Sequence, residues 1–113
     1  MQPEVEPCLL VIISDLAIRN SLVDWLLSYQ NELVFTSATI DCYGLDPKSL
    51  NLAEQVTGRQ RTLEFQIQTT VEMARDICKE LRLAFPGAHL RYWIQPVLET
   101  GYLDHATDQQ LVE

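Results

Sequence analysis

Cys8-Leu9-Leu10-Val11-Ile12-Ile13 is an unbroken apolar run between Pro7 and Ser14. A run this short and uniform predicts a strand covered on both faces. Apolar positions then recur at Ile18, Leu22, Trp25, Leu26 and Tyr29. That spacing marks one face of a helix, with Ser14 or Asp15 placed to cap it and Arg19 and Asp24 on the other side. Val34 to Tyr43, rich in Val, Phe, Thr and Ile, predicts a second strand. Leu63, Phe65 and Ile67 alternate with Thr62, Glu64, Gln66 and Gln68, the clearest two-residue period in the chain. Thr69-Thr70-Val71-Glu72 has the form of a capping box. Behind it, Val71, Ala74, Ile77, Cys78, Leu81 and Phe85 make the stripe of a second helix, which Pro86-Gly87 stops. Ala88 to Gln95 reads as a fourth strand ending at Pro96.

The order strand, helix, strand, strand, helix, strand predicts an α+β, ferredoxin-like βαββαβ sandwich. It has a four-stranded antiparallel sheet with two helices on one face. Residues 1–7 are expected to form a mobile lead-in, 8–98 the single domain and 99–113 an acidic tail. The sheet face without helices receives a mixed set including Glu64, Gln66, Arg91, Trp93 and Gln95. Such a half-polar, aromatic-bearing face calls for a second layer from another subunit.

Gly44 and Pro47 break the pattern, and residues 44–58 make a long connection. Connections of this length in small domains usually serve function. Leu50, Leu52 and Val56 are its candidate residues for docking on a protein partner.

Composition narrows the picture. The chain has 113 residues, 47% hydrophobic and 21% charged, enough for one core without staples. Its formal net charge of −8 argues against nucleic acid and anionic lipid as partners. Residues 1–46 hold seven acids and one base, Arg19, while residues 48–91 hold seven of the eight basic residues. Cys8, Cys42 and Cys78 have no C-x-x-C spacing, so small buried hydrophobe is the expectation for Cys8 and Cys78. No apolar run approaches membrane-spanning length and no basic leader precedes one, so direct membrane insertion is not expected and a cytoplasmic location is.

The densest positive charge is Gly58-Arg59-Gln60-Arg61, where the long connection enters a strand. Guanidinium forks beside a glycine suit an anion, which makes Arg59, Gln60 and Arg61 the candidate anion or effector site. The plainer reading pairs the arginines with Glu54, Glu64 or a neighbouring subunit's acids. For metal, the candidates are Cys42 with Asp41, and His105 with Asp104 and Asp108, since thiolate and imidazole suit zinc or copper. No three-ligand cluster is visible, and no cofactor is expected, with a divalent metal or a nucleotide as the ligands to test. No Ser/His/Asp or Cys/His signature appears, so catalysis is not expected. Trp25 is expected in the core and Trp93 at an interface, with His89 a packing or interface residue.

Together, several segments resemble the PII-like superfamily of trimeric ferredoxin-fold regulators. They are Cys8-Leu9-Leu10, Leu22-Val23-Asp24-Trp25-Leu26-Leu27, Phe35-Thr36-Ser37, Leu52-Ala53-Glu54-Gln55-Val56 with Gly58-Arg59-Gln60-Arg61, and Arg91-Tyr92-Trp93-Ile94 with Pro96-Val97-Leu98-Glu99. Within it, the chain is most similar to a small bacterial family of unknown function associated with heavy-metal efflux. The resemblance implies a homotrimer with helices outside, and it puts residues 44–58 in the place of the signalling loop. The chain departs from the pattern twice. Tyr43-Gly44-Leu45 stands where the family carries Gly-His-Gly, and Phe85-Pro86-Gly87-Ala88 replaces the basic glycine-rich loop of nucleotide-binding members. The expectation is a non-enzymatic, PII-like regulatory or signalling protein. A divalent-metal binder similar to the CutA trimers and a ligand-free interaction module are the alternatives.

Overall fold

Register turns the alternating sequence into two chemically different sheet faces. In a computed structural model describing residues 6–29 and 33–104, four strands pair in the order β2-β3-β1-β4, all antiparallel. They are β1 (Pro7–Asp15), β2 (Phe35–Tyr43), β3 (Arg59–Thr70) and β4 (Arg91–Pro96). Helices α1 (Arg19–Ser28) and α3 (Val71–Ala84) connect β1 to β2 and β3 to β4. This is the ferredoxin-like α+β arrangement, with the hairpin β2–β3 between the two crossovers.

Leu10 pairs with Ile67 on one side and Ile94 on the other, and Ile12 pairs with Phe65 and Tyr92. With Cys8 and Leu63 they form the helix-side face, packed against Leu22 and Leu26 of α1 and Ala74, Ile77 and Leu81 of α3. Each large side chain fully buried here contributes about 1.5–3 kcal/mol, and Phe65 sits at the middle of the set. Trp25 packs against this core and stacks on Tyr29 at 5.0 Å.

The opposite face carries Val11 between Gln66 and Trp93, and Ile13 between Glu64 and Arg91. It is the mixed face the alternation predicts. Val11 is only 2% exposed, although no helix covers it. Side chains of the flanking strands shield it, and two bonds tie that layer: Trp93 Nε1 donates to Gln95 Oε1 at 2.7 Å and Gln66 Nε2 to Glu64 Oε2 at 2.6 Å.

Three boundaries differ from the sequence expectation. β1 runs on to Asp15 and a 3₁₀ turn, Leu16–Ile18, intervenes before α1, so neither Ser14 nor Asp15 caps that helix. Thr70, not Thr69, is the cap of α3, accepting from the Met73 N–H at 3.1 Å. Glu72 is then one residue too early to return the bond, so there is no box. β4 begins at Arg91 rather than Ala88, because the chain reaches it through Gly87 at φ 78° and His89 at φ 56°. Left-handed backbone at a non-glycine cannot continue a strand.

The connection 44–58 is also more ordered than a loop. Pro47–Ser49 make a 3₁₀ turn, and Leu52–Thr57 form a short helix, α2. Asn51 and Glu54 close a reciprocal capping box: Asn51 Oδ1 accepts from the Glu54 N–H at 2.8 Å, and Glu54 Oε1 from the Asn51 N–H at 2.9 Å. Gly58, at φ 74°, ends the helix in the left-handed conformation that glycine adopts without strain.

Candidate functional site

β2 and β3 outrun their neighbour. β1 ends where Asp15 faces Thr62, but β2 and β3 stay paired through Asp41–Arg61, Cys42–Gln60 and Tyr43–Arg59. These register steps make a two-stranded ribbon that carries the segment 44–58 away from the sheet body, as an arm. Its root is the candidate site.

Alternation separates the root residues by face. Arg59, Arg61 and Asp41 lie on the helix side. There Asp41 Oδ2 accepts from Arg59 Nη1 at 2.8 Å, and Asp41 Oδ1 stands 3.5 Å from Arg61 Nε. Arg19 Nη2, from α1, donates to Thr39 Oγ1 nearby at 3.3 Å. The two arginines thus share one carboxylate contributed by β2. Glu54 is engaged in its capping box and Glu64 lies on the other face.

Cys42, Gln60 and Thr62 lie on the open face, where they wall a cavity of about 340 Å³ together with Ile13 and Arg91. Leu45 and Ser49 close it from the arm, and Ala88 and His89 from the turn before β4. Thr62 is 4% exposed and its Oγ1 has no hydrogen-bond partner among the described residues. A buried hydroxyl without a partner is costly, so one that faces a cavity invites a ligand to supply the missing bond. Arg91 and Asp15 bring charges of both signs to the rim.

Of the residues the sequence singles out, Gln60 reaches this cavity while Arg59 and Arg61 do not. Cys42 lines it too. Asp41, its expected co-ligand, projects from the opposite face and cannot share a metal with it. Among the described residues no three His, Cys, Asp or Glu side chains gather as a metal site. His105 and Asp108 lie outside the described residues. Leu52 and Val56 stand out from α2 at 80% and 87% exposure. Leu50 is a correction: at 8% exposure it packs beneath the arm and is not available for docking. Gln55 Nε2 bonds the Leu50 carbonyl at 3.0 Å and the Pro47 carbonyl at 3.1 Å, fixing that turn over it.

Thr62, Ile13, His89 and Arg91 are among the cavity residues that sequence reasoning does not place in a site. Their only signal is position: Thr62 is the first residue of an alternating run and belongs to the polar set. No helix among the described residues is long and apolar enough to cross a membrane.

Comparison with known proteins supplies the family. The family model described as "Protein of unknown function (DUF3240)" matches residues 5–104. No curated protein matches the chain. Among solved structures, a DUF3240 family protein from Shewanella baltica OS155 superposes with a TM-score of 0.70 at 22% identity, over 88% of this chain and 99% of that one. A functionally unknown protein from Pediococcus pentosaceus ATCC 25745 gives 0.61 at 12% identity, over 88% and 99%. A Bacillus cereus protein related to NIF3 gives 0.57 at 14% identity, over 89% of this chain but 27% of its own length. At these identities the likeness speaks for the fold alone.

Proposed function

The chain belongs to DUF3240, a family of unknown function, and we propose that it is a non-enzymatic, PII-like regulator. A small effector in the open-face cavity sets the state of the arm, and the arm acts on a protein partner. One observation carries this reading: the cavity is walled both by the sheet and by the arm's own Leu45 and Ser49. Any ligand that fills it touches the element that would transmit the signal. It would favour whichever arm position offers it more contacts, and it can shift the arm only by that difference in affinity. Leu52 and Val56 are the exposed apolar side chains left for a partner.

Homotrimerisation belongs to the same proposal. Trp93, 38% exposed on the open face, offers apolar area for a second layer, and packing there would put the cavity at a subunit cleft. The metal-binding alternative has less support, because Cys42 and Asp41 diverge. An accessory role in heavy-metal efflux rests on sequence resemblance only.

The test is a thermal-shift screen with adenine nucleotides and divalent cations, followed by amide exchange on any stabilising ligand. The expected result is altered exchange at 44–58 along with the rise in melting temperature. A ligand that stabilises the fold through Thr62 yet leaves exchange in the arm unchanged refutes the coupling. Light scattering that finds only monomer at micromolar concentration refutes the trimer.

A further inference from the structure

A second and larger cavity, of about 450 Å³, lies on the helix side of the sheet, between the last turn of α3 and the start of β4. It arises from a gap in coverage. α3 ends at Ala84 and the chain turns away through Pro86-Gly87, so the first residues of β4 are left without a helix above them. Ile12 and Leu81, both buried, form the floor, and Phe85 and Leu90 stand as walls. Tyr92 stays half exposed at the side, and the Cys78 thiol is pushed up from its ordinary value by burial, against the lowering pull of Arg82.

We propose that this cavity binds a small amphiphilic anion: an organic carboxylate with an apolar body. The volume falls in the range of small-molecule sites, roughly 300–1,000 Å³, and such sites pair apolar walls with a few convergent polar groups. Here those groups are Arg82 and His89 at the mouth. Arg82 has no carboxylate partner among the described residues, in contrast to Arg59 and Arg61, which share Asp41. An unpaired guanidinium beside an apolar wall, in a chain with twice as many acids as bases, selects for a ligand that brings its own carboxylate. His89 adds a second donor and is held at the mouth in a left-handed conformation, φ 56°, that a non-glycine residue adopts at a cost. The same residue borders the open-face cavity, so it is the one side chain the two cavities have in common. Apart from His89 this site shares no lining residue with the proposed effector cavity, and it does not depend on that reading.

Calorimetric titration of the full chain with octanoate, 1-octanol and acetate tests the assignment. Octanoate is expected to bind at least tenfold more tightly than octanol, with acetate giving no measurable heat. Arg82→Met keeps the aliphatic stem and should bring octanoate down to the octanol level while the melting temperature stays unchanged. Thr62→Val should leave octanoate binding intact. The proposal is overturned if octanol binds as well as octanoate, if Arg82→Met leaves the affinity unchanged, or if octanoate perturbs amides around Thr62 rather than those of 78–92. It is equally overturned if none of the probes binds.

Discussion

Thr62→Val isolates the energetic claim on which the open-face site rests. Thr62 sits mid-sheet, opposite Asp15 of β1 and Ile40 of β2, with its hydroxyl buried and unpartnered. An orphaned buried hydroxyl costs about 1–3 kcal/mol. Valine keeps the β-branched shape and the strand preference, and it replaces the hydroxyl with a methyl whose burial is worth about 0.8 kcal/mol. The lower end of the penalty applies because the hydroxyl faces a cavity roomy enough for solvent. The two terms add, so the net expectation is a gain of about 1–2 kcal/mol. For a domain of this size each kcal/mol corresponds to a rise of roughly 4–8 °C in melting temperature. Urea unfolding at fixed m-value measures the same quantity independently. Thr62→Ser keeps the hydroxyl and drops the methyl, so it should lose stability. If Thr62→Val instead costs more than about 0.5 kcal/mol, the hydroxyl is bonded in the folded protein. The ligand-seeking role assigned to it then fails. A stabilised Thr62→Val that binds the effector more weakly would tie the orphan to binding.

Two further expectations test other parts of the structure. Asp41→Asn removes the carboxylate shared by Arg59 and Arg61; as all three side chains are about a third or more exposed to solvent, the loss should stay below about 1 kcal/mol. The freed guanidiniums should gain weak, salt-sensitive binding of inorganic phosphate, and phosphate binding as strong in the unsubstituted protein would show that Asp41 does not occupy them. The second concerns pH. Burial pushes the Cys8 thiol up, so above about pH 8.5 the unfolded chain has lost a proton the native chain still holds. Stability must then fall as pH rises, by at most about 1.4 kcal/mol per pH unit for this group, until the native thiol ionises too. Cys8→Ala should flatten that slope between pH 8 and 10 in urea midpoints, and an unchanged slope would contradict the assignment to Cys8.

β1, β3 and α3 are legible because each turns a uniformly apolar face to the core: Leu10 and Ile12, Leu63, Phe65 and Ile67, and Ala74, Ile77 and Leu81. α2 is not, since none of its residues is buried and its one apolar pair, Leu52 and Val56, points to solvent. Its signal was instead the cap, Asn51 three residues before Glu54. The site was harder still. Asp41 meets Arg61 and Cys42 meets Gln60 only through the β2–β3 register. That register depends on how a fifteen-residue arm (44–58) closes, which hydrophobic patterning does not specify. Reading Glu54 or Glu64 as the arginines' partners followed sequence proximity, whereas the sheet put Glu64 on the far face.

On the proposed reading the same features suit the arm to act as a switch. A helix of six residues is too short to be stable by itself, and α2 buries no side chain that would hold it. What fixes it is local: the Asn51–Glu54 box, worth about 1 kcal/mol, the Gly58 terminus, and Leu50 tucked beneath. The sheet strands β1 and β3, by contrast, carry most of the buried cluster, the kind of element whose opening costs most. Arm displacement is thus a low-cost event beside a rigid body. A ligand bridging Thr62 and Leu45 needs a differential affinity of only about 1–3 kcal/mol to move its population substantially. A strong core and a weakly held arm meet at the β2–β3 ribbon, and on the proposed reading a binding event of modest energy there would act most directly on the exposed Leu52 and Val56.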